Sequence, residues 1–178
     1  MKNQGEENKG DATKNLSDQQ AVEKLKELIK HNSICMFATK LGNDGPAETR
    51  PMSVGQVDDD GNLWFLSGKS SKKNHDIKID PRIQLLFANT SDQEYLTVFG
   101  DATVTTDKQK IKEIWSPFAK AWFNEGVDDP DVSAIRITPR DGFYWDTKSG
   151  RMISLLKILA SAVIGKTIEE GVQGKLKV

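Results

Sequence analysis

The chain has 178 residues, with 25 Lys and Arg against 26 Asp and Glu, 37% hydrophobic residues, one Cys and two His. Such a chain is long enough for one domain around one core, and a net charge of -1 spread over mixed-sign segments lacks the broad basic field of a duplex-DNA binder. Cys35, His31 and His75 cannot assemble a Cys-rich zinc site and no disulfide can form within the chain, so no metal site is expected and a reducing, cytoplasmic setting is.

Residues 1–16 are polar, with no apolar run after Lys2, which predicts a disordered tail and not a secretory signal. Ser17 followed by Gln20 has the form of a capping box, and Val22, Leu25, Leu28 and Ile29 recur at helical spacing, predicting a helix over 17–31. Short β-prone runs follow at 34–41, 48–57, 62–67, 82–89 and 94–106. The clusters 42–45 and 58–62, rich in Gly, Asp and Asn, suit tight turns, so two successive hairpins predict a meander. Residues 68–81, GKSSKKNHDIKIDP, read as a small-residue loop entering a short helix that Asp80-Pro81 stops.

Thr106 and Asp107 open a second helical pattern with Ile111, Ile114 and Trp115 on one face, broken by Pro117. Trp115 and Trp122 are expected to pack that helix on the sheet, and the acidic stretch 124–131 to be a solvated loop. Runs at 133–138 and 142–145, parted by Pro139-Arg140-Asp141, complete the strands. An amphipathic helix is predicted over 152–164, ending at Gly165, with a flexible tail at 166–178. That most apolar stretch falls short of the ~20 residues needed to span a membrane. The order predicts a mainly β domain over 17–165, an antiparallel barrel with flanking helices.

Gly68-Lys69-Ser70 resembles the end of a nucleotide-binding phosphate loop, but Leu63 stands where that motif needs its earlier glycine. What remains is a loop opening a helix, where Ser67, Ser71, Lys72 and Lys73 can cradle one phosphate and His75 can add a donor. The competing interpretation is a solvated lysine cluster. Arg50-Pro51-Met52 puts a charge and a missing ladder donor inside a strand, which suits an edge or the wall of a site. Trp145, at the end of a late strand, can pack or stack on a ligand ring. His31 suits a helix end, and Cys35, within ICMFA, suits a small buried hydrophobe.

In this order, ICMFATKL, TRPMSVGQV, NLWFLSGKSSKKNHDI and DPRIQLLFAN resemble the FMN-binding split-barrel proteins related to pyridoxamine 5'-phosphate oxidase. YLTVFGDATVTTD, GFYWDT and SLLKILASAVIGK look most like the general stress protein 26 branch, and the resemblance covers 17–165. It implies a six-stranded antiparallel split barrel, a homodimer, and FMN at the subunit interface, with FAD or a deazaflavin as alternatives. It also implies cofactor contacts from Arg50, Pro51, Met52 and Ser53 on one strand, Leu66 and Ser67 on the next, then Ser71, Lys72 and Lys73, with Trp145 near the ring. The carboxy-terminal Trp and paired arginines of the true oxidase are missing, so vitamin B6 oxidase activity is not expected. The expectation is an FMN-binding redox protein, an oxidoreductase or flavin reductase with an unidentified small-molecule substrate and no assigned catalytic residue. Other readings are a non-catalytic flavin carrier or sensor, and a single-stranded nucleic-acid-binding barrel using Lys69, Lys72 and Lys73, which the near-neutral charge disfavours.

Overall fold

The computed structural model describes residues 18–42, 45–146 and 151–154. The expected terminal tails, the cap residue Ser17 and most of the predicted last helix lie outside them. Helix α1 (Asp18–His31) buries Ala21, Val22, Leu25, Leu28 and Ile29, the stripe its 3.6-residue period foretold. All of these but Val22 join the main core, in which Phe37 meets Phe65 edge to face at 5.4 Å.

The strands are β1 (Ile34–Thr39), β2 (Glu48–Ser53), β3 (Gln56–Val57), β4 (Leu63–Gly68), β5 (Arg82–Asn89), β6 (Glu94–Thr105), β7 (Val132–Asp146) and β8 (Arg151–Ser154). All pairings are antiparallel, in the order β2-β1-β5-β6-β7-β4-β3, with β8 added on β7. The two edge strands, β2 and β3, are consecutive in the chain, so the sheet has to curl until its edges approach. Val54 N–H donates to Ser33 O on one side of the split and Gly55 N–H to Trp64 O on the other, at 2.9 and 2.7 Å. This is the split barrel that the sequence led one to expect, in outline.

Its details differ in four places. The path holds seven strands and not six, because the run 48–57 breaks at Val54-Gly55 into β2 and β3. A simple meander is not formed: β2 does not pair with β3, and β4 pairs with the distant β7. The two late runs are one strand, β7, that absorbs Pro139-Arg140-Asp141 as a bulge. Phe99 faces Asp141 and Gly100 faces Pro139, leaving Arg140 as the extra residue. Finally, residues 152–154 extend beside β7 and are not helical, since the stretch of β7 beyond its pairing with β4 offers free backbone groups that β8 takes up.

A second, smaller cluster covers the opposite face of β4 and β7. Trp64, Val132 and Ala134 pack there against Ile111 and Ile114 and against Ala119 and Phe123. Helix α3 (Lys108–Glu113) supplies the first of these, capped by Asp107, whose side chain accepts from Gln109 and Lys110 N–H. It is shorter than the helical pattern suggested, and Pro117 opens a 3-10 turn in its place. Trp115 packs on this cluster, whereas Trp122 is 76% exposed, correcting the expectation for it. The inward position falls one residue later, on Phe123, whose ring lies 6.1 Å from that of Trp115.

Candidate functional site

Helix α2 (Lys72–Ile79) starts where β4 ends, and its first turn is rigidly held. Ser71 is the N-cap, with its hydroxyl accepting from Asn74 N–H. Asn74 is buried, accepting from the Ser67 hydroxyl at 2.8 Å and donating to Ser133 Oγ at 2.9 Å, while Ser133 donates to Ser67 O at 2.8 Å. Ser67 thus faces inward and serves this lock. The loop before the helix is anchored by Asp131, which accepts from Ser70 N–H and Ser70 Oγ and whose carbonyl accepts from Lys69 N–H. Asp131 is therefore a structural anchor and not part of a solvated acidic loop. Lys69 and Ser70 have spent their amides on it, which leaves an anion the helix end and the lysine side chains.

Four cations surround that end. Alternation along β2 puts Glu48, Arg50 and Met52 on the inner face, and the register sets Arg50 opposite Phe37 and Glu48 opposite Thr39. Arg50 Nη1 donates to Thr39 Oγ1 at 2.8 Å, and Thr39 in turn donates to the buried carboxylate of Asp76 at 3.1 Å. Glu48 Oε1 accepts from Lys40 at 2.6 Å and from Lys72 at 2.5 Å, and its Oε2 lies 3.5 Å from Arg50. These cations hold the Glu48 carboxyl down at about 2, chiefly through the hydrogen bonds from Lys40 and Lys72. Lys73 differs from the other three. It is half-buried, and among the described residues it has neither a hydrogen-bond partner nor an ion-pair partner. Burial first, and then the charge of Arg50, lower its pKa, with Asp131 opposing weakly. A desolvated ammonium beside a guanidinium at a helix N-terminus is a place built for an anion.

The structure brings Arg50, Ser67, Ser71, Lys72 and Lys73 together but separates other expected contacts from them. Pro51 and Ser53 project from the outer face of β2, and Met52 packs on the core. Leu66 points to the second cluster with Trp64. Trp145 is 38% exposed on the outer face, opposite Tyr95 and several strands across from β2. His75 is exposed on α2, His31 ends α1 and meets Glu94 Oε2 at 3.1 Å, and burial pushes the Cys35 thiol up to about 12, so it is inert. Sequence reasoning missed Glu48, Asn74, Asp76 and Asp131. Glu48 had a readable signal, since it stands two residues before Arg50 and must share its face; the other three become visible only once distant segments meet.

A curled antiparallel sheet split at one seam, with a cationic helix end beside the seam strand, defines the split-barrel class. Residues 20–169 match the family model described as pyridoxamine 5'-phosphate oxidase like, and the chain belongs to that family. It is 28% identical over 156 residues to protein bli-3 of Neurospora crassa, covering 83% of this chain and 75% of the relative. Its fold matches a Clostridium acetobutylicum protein related to general stress protein 26 with a TM-score of 0.64 at 22% identity, covering 78% of this chain and 95% of that one. It also matches the general stress FMN/FAD binding protein of Xanthomonas citri, with a TM-score of 0.60 at 19% identity, covering 90% and 100%. No helix among the described residues is long and apolar enough to cross a membrane.

Proposed function

We propose that this chain binds FMN, with the ribityl phosphate at Arg50, Lys72 and Lys73, and works as a redox flavoprotein. The observation that carries this is Lys73, a half-buried cation beside a second cation and bonded to no counter-ion among the described residues. A flavin supplies electron or hydride transfer when bound, and the protein's part is to bind and orient it. Family membership supports a flavin, as does the name of the Xanthomonas citri relative, which includes FMN/FAD binding. A homodimer completes the proposal: Gly68, just before the lysine turn, pairs with Val132 at the start of β7, whereas Trp145 lies near the other end of that strand, which leaves it to serve the site of a second copy. The outer face also carries an apolar row, Pro51-Met36-Leu86, in register across β2, β1 and β5. Met36 and Leu86 are 41% and 40% exposed, which suits a surface buried by a second copy. A buried, inert thiol suits the reducing cytoplasm.

Titration of the apo protein with FMN, followed by flavin fluorescence, tests the assignment. Micromolar or tighter binding is expected, and no binding by protein shown folded by circular dichroism refutes it. Replacing Lys72 and Lys73 by alanine should weaken FMN far more than riboflavin, since each charge-assisted bond contributes roughly 1.5–3 kcal/mol. Stopped-flow reduction by NAD(P)H then separates an oxidoreductase or flavin reductase, which is reduced rapidly, from a carrier or sensor, which is not.

A further inference from the structure

We propose that Glu48 is an internal competitor for the phosphate site, pairing with Lys72 and Arg50 until a flavin phosphate displaces it, so that it lowers the affinity for phosphate-bearing flavins and not for riboflavin. This rests on the phosphate site proposed above and adds to it a carboxylate that the phosphate must displace. Glu48 Oε1 is 2.5 Å from Lys72 Nζ and Glu48 Oε2 is 3.5 Å from Arg50 Nη2, so two of the cations that would hold a phosphate already hold a carboxylate. Of the three phosphate-site cations, Lys73 is the one with no partner bonded to it among the described residues, and it gives the incoming anion its first contact. Lys40, 2.6 Å from the same Oε1, sits outside the phosphate set. It can retain Glu48 when Lys72 and Arg50 transfer to the ligand.

The exchange has a clear electrostatic condition. The carboxyl of Glu48 is held at about 2, so it stays ionised at every pH at which the protein is used, and it must be displaced as an anion. A phosphate monoester carries about -1.5 to -2 charges at pH 7 and three strong acceptor oxygens, more than a carboxylate offers. A flavin without phosphate leaves Glu48 in place and does not meet this cost. Because the cost lies in the free state, Glu48 lowers the affinity for every flavin whose phosphate displaces it by a similar factor and leaves riboflavin unaffected.

Calorimetric titration of the full chain with FMN, FAD and riboflavin tests this on four proteins: wild type, Glu48→Gln, Lys40→Asn and Lys73→Ala. Asparagine is chosen at 40 because Lys40 has φ 61°, a conformation asparagine tolerates. Glu48→Gln should bind FMN and FAD about five- to tenfold more tightly, by similar factors, with riboflavin unchanged. Lys40→Asn should weaken FMN several-fold, because Glu48 then has only Lys72 and Arg50. Opposite signs in two variants of one network cannot both come from loss of fold, and thermal melts confirm this directly. If Glu48→Gln binds FMN equally or more weakly, or tightens riboflavin as much as FMN, the competitor role is overturned while the phosphate site stands. If wild type binds FMN and riboflavin alike, or Lys73→Ala leaves FMN affinity intact, the phosphate site itself is wrong and the competitor role falls with it.

Discussion

Lys73 couples burial to ligand binding through one proton. Its pKa in the fold lies below that of a free lysine, so the unfolded chain binds the proton more tightly, and folding stability rises with pH between the folded value and the ordinary lysine range. A bound phosphate stabilises the ammonium and reverses the shift. FMN affinity should therefore start to fall with rising pH before an ordinary lysine titrates, in a series from neutral pH to about 10, and Lys73→Met should remove that limb. Glu48 acts at the other extreme: its folded pKa is depressed, so its contribution to stability is present above the ordinary glutamate range and is lost as pH falls through about 2. Melting temperatures of Glu48→Gln should accordingly be less sensitive to acid than those of wild type. Gly100 has a different, steric role. A Cβ there would collide with Thr138 O across the bulge, so Gly100→Ala should destabilise by about 1–3 kcal/mol in urea unfolding.

At the scale of elements, the first turn of α2 matters most, because it aims two lysines. Asn74→Ala would remove the acceptor of the Ser67 hydroxyl and the donor to Ser133 Oγ from a buried network, at about 1–3 kcal/mol. FMN affinity should fall as well, since the helix end loses its fixed position, and riboflavin binding should change less. Cap loss on α3 gives a milder comparison: Asp107→Ala should cost about 1 kcal/mol in the same unfolding experiment and leave FMN binding unchanged. The elements differ in how legible they were. Helix α1 could be read from its stripe, and α2 from a small-residue loop and a proline stop. Helix α3 ends before Pro117, as expected, whereas β7 was misjudged at Pro139, because a proline marks a local irregularity without saying whether the element ends or bends around it. Only the partner strand β6, with Gly100 giving room at the bulge, lets β7 continue.

For the whole molecule, the exposed row Pro51-Met36-Leu86 and the distant Trp145 make a connected prediction. Leu86→Lys should convert a dimer into a monomer in sedimentation equilibrium, and the monomer should bind FMN more weakly while its melting temperature stays close to wild type. A folded monomer with full FMN affinity would contradict a site shared between subunits.

The sequence by itself determined the positions of α1 and α2, the principal strands, the mainly β class, and the pairing of a strand arginine with a lysine-rich helix start. All of these are written in short-range signals: a period of two or 3.6 residues, a capping serine, a turn glycine. Tertiary structure alone decided which strands are neighbours, how the sheet splits at Val54-Gly55, which tryptophan is buried, and which charges face each other. Lys72 meets Glu48 across 24 residues and Ser70 meets Asp131 across 61. No local pattern encodes such meetings, because they follow from the curl of the sheet and its pairing order. Hence Arg50, Lys72 and Lys73 could be named from the sequence and Glu48 placed on the face of Arg50, while the bonds from Lys40 and Lys72 to Glu48 were decided only by the fold.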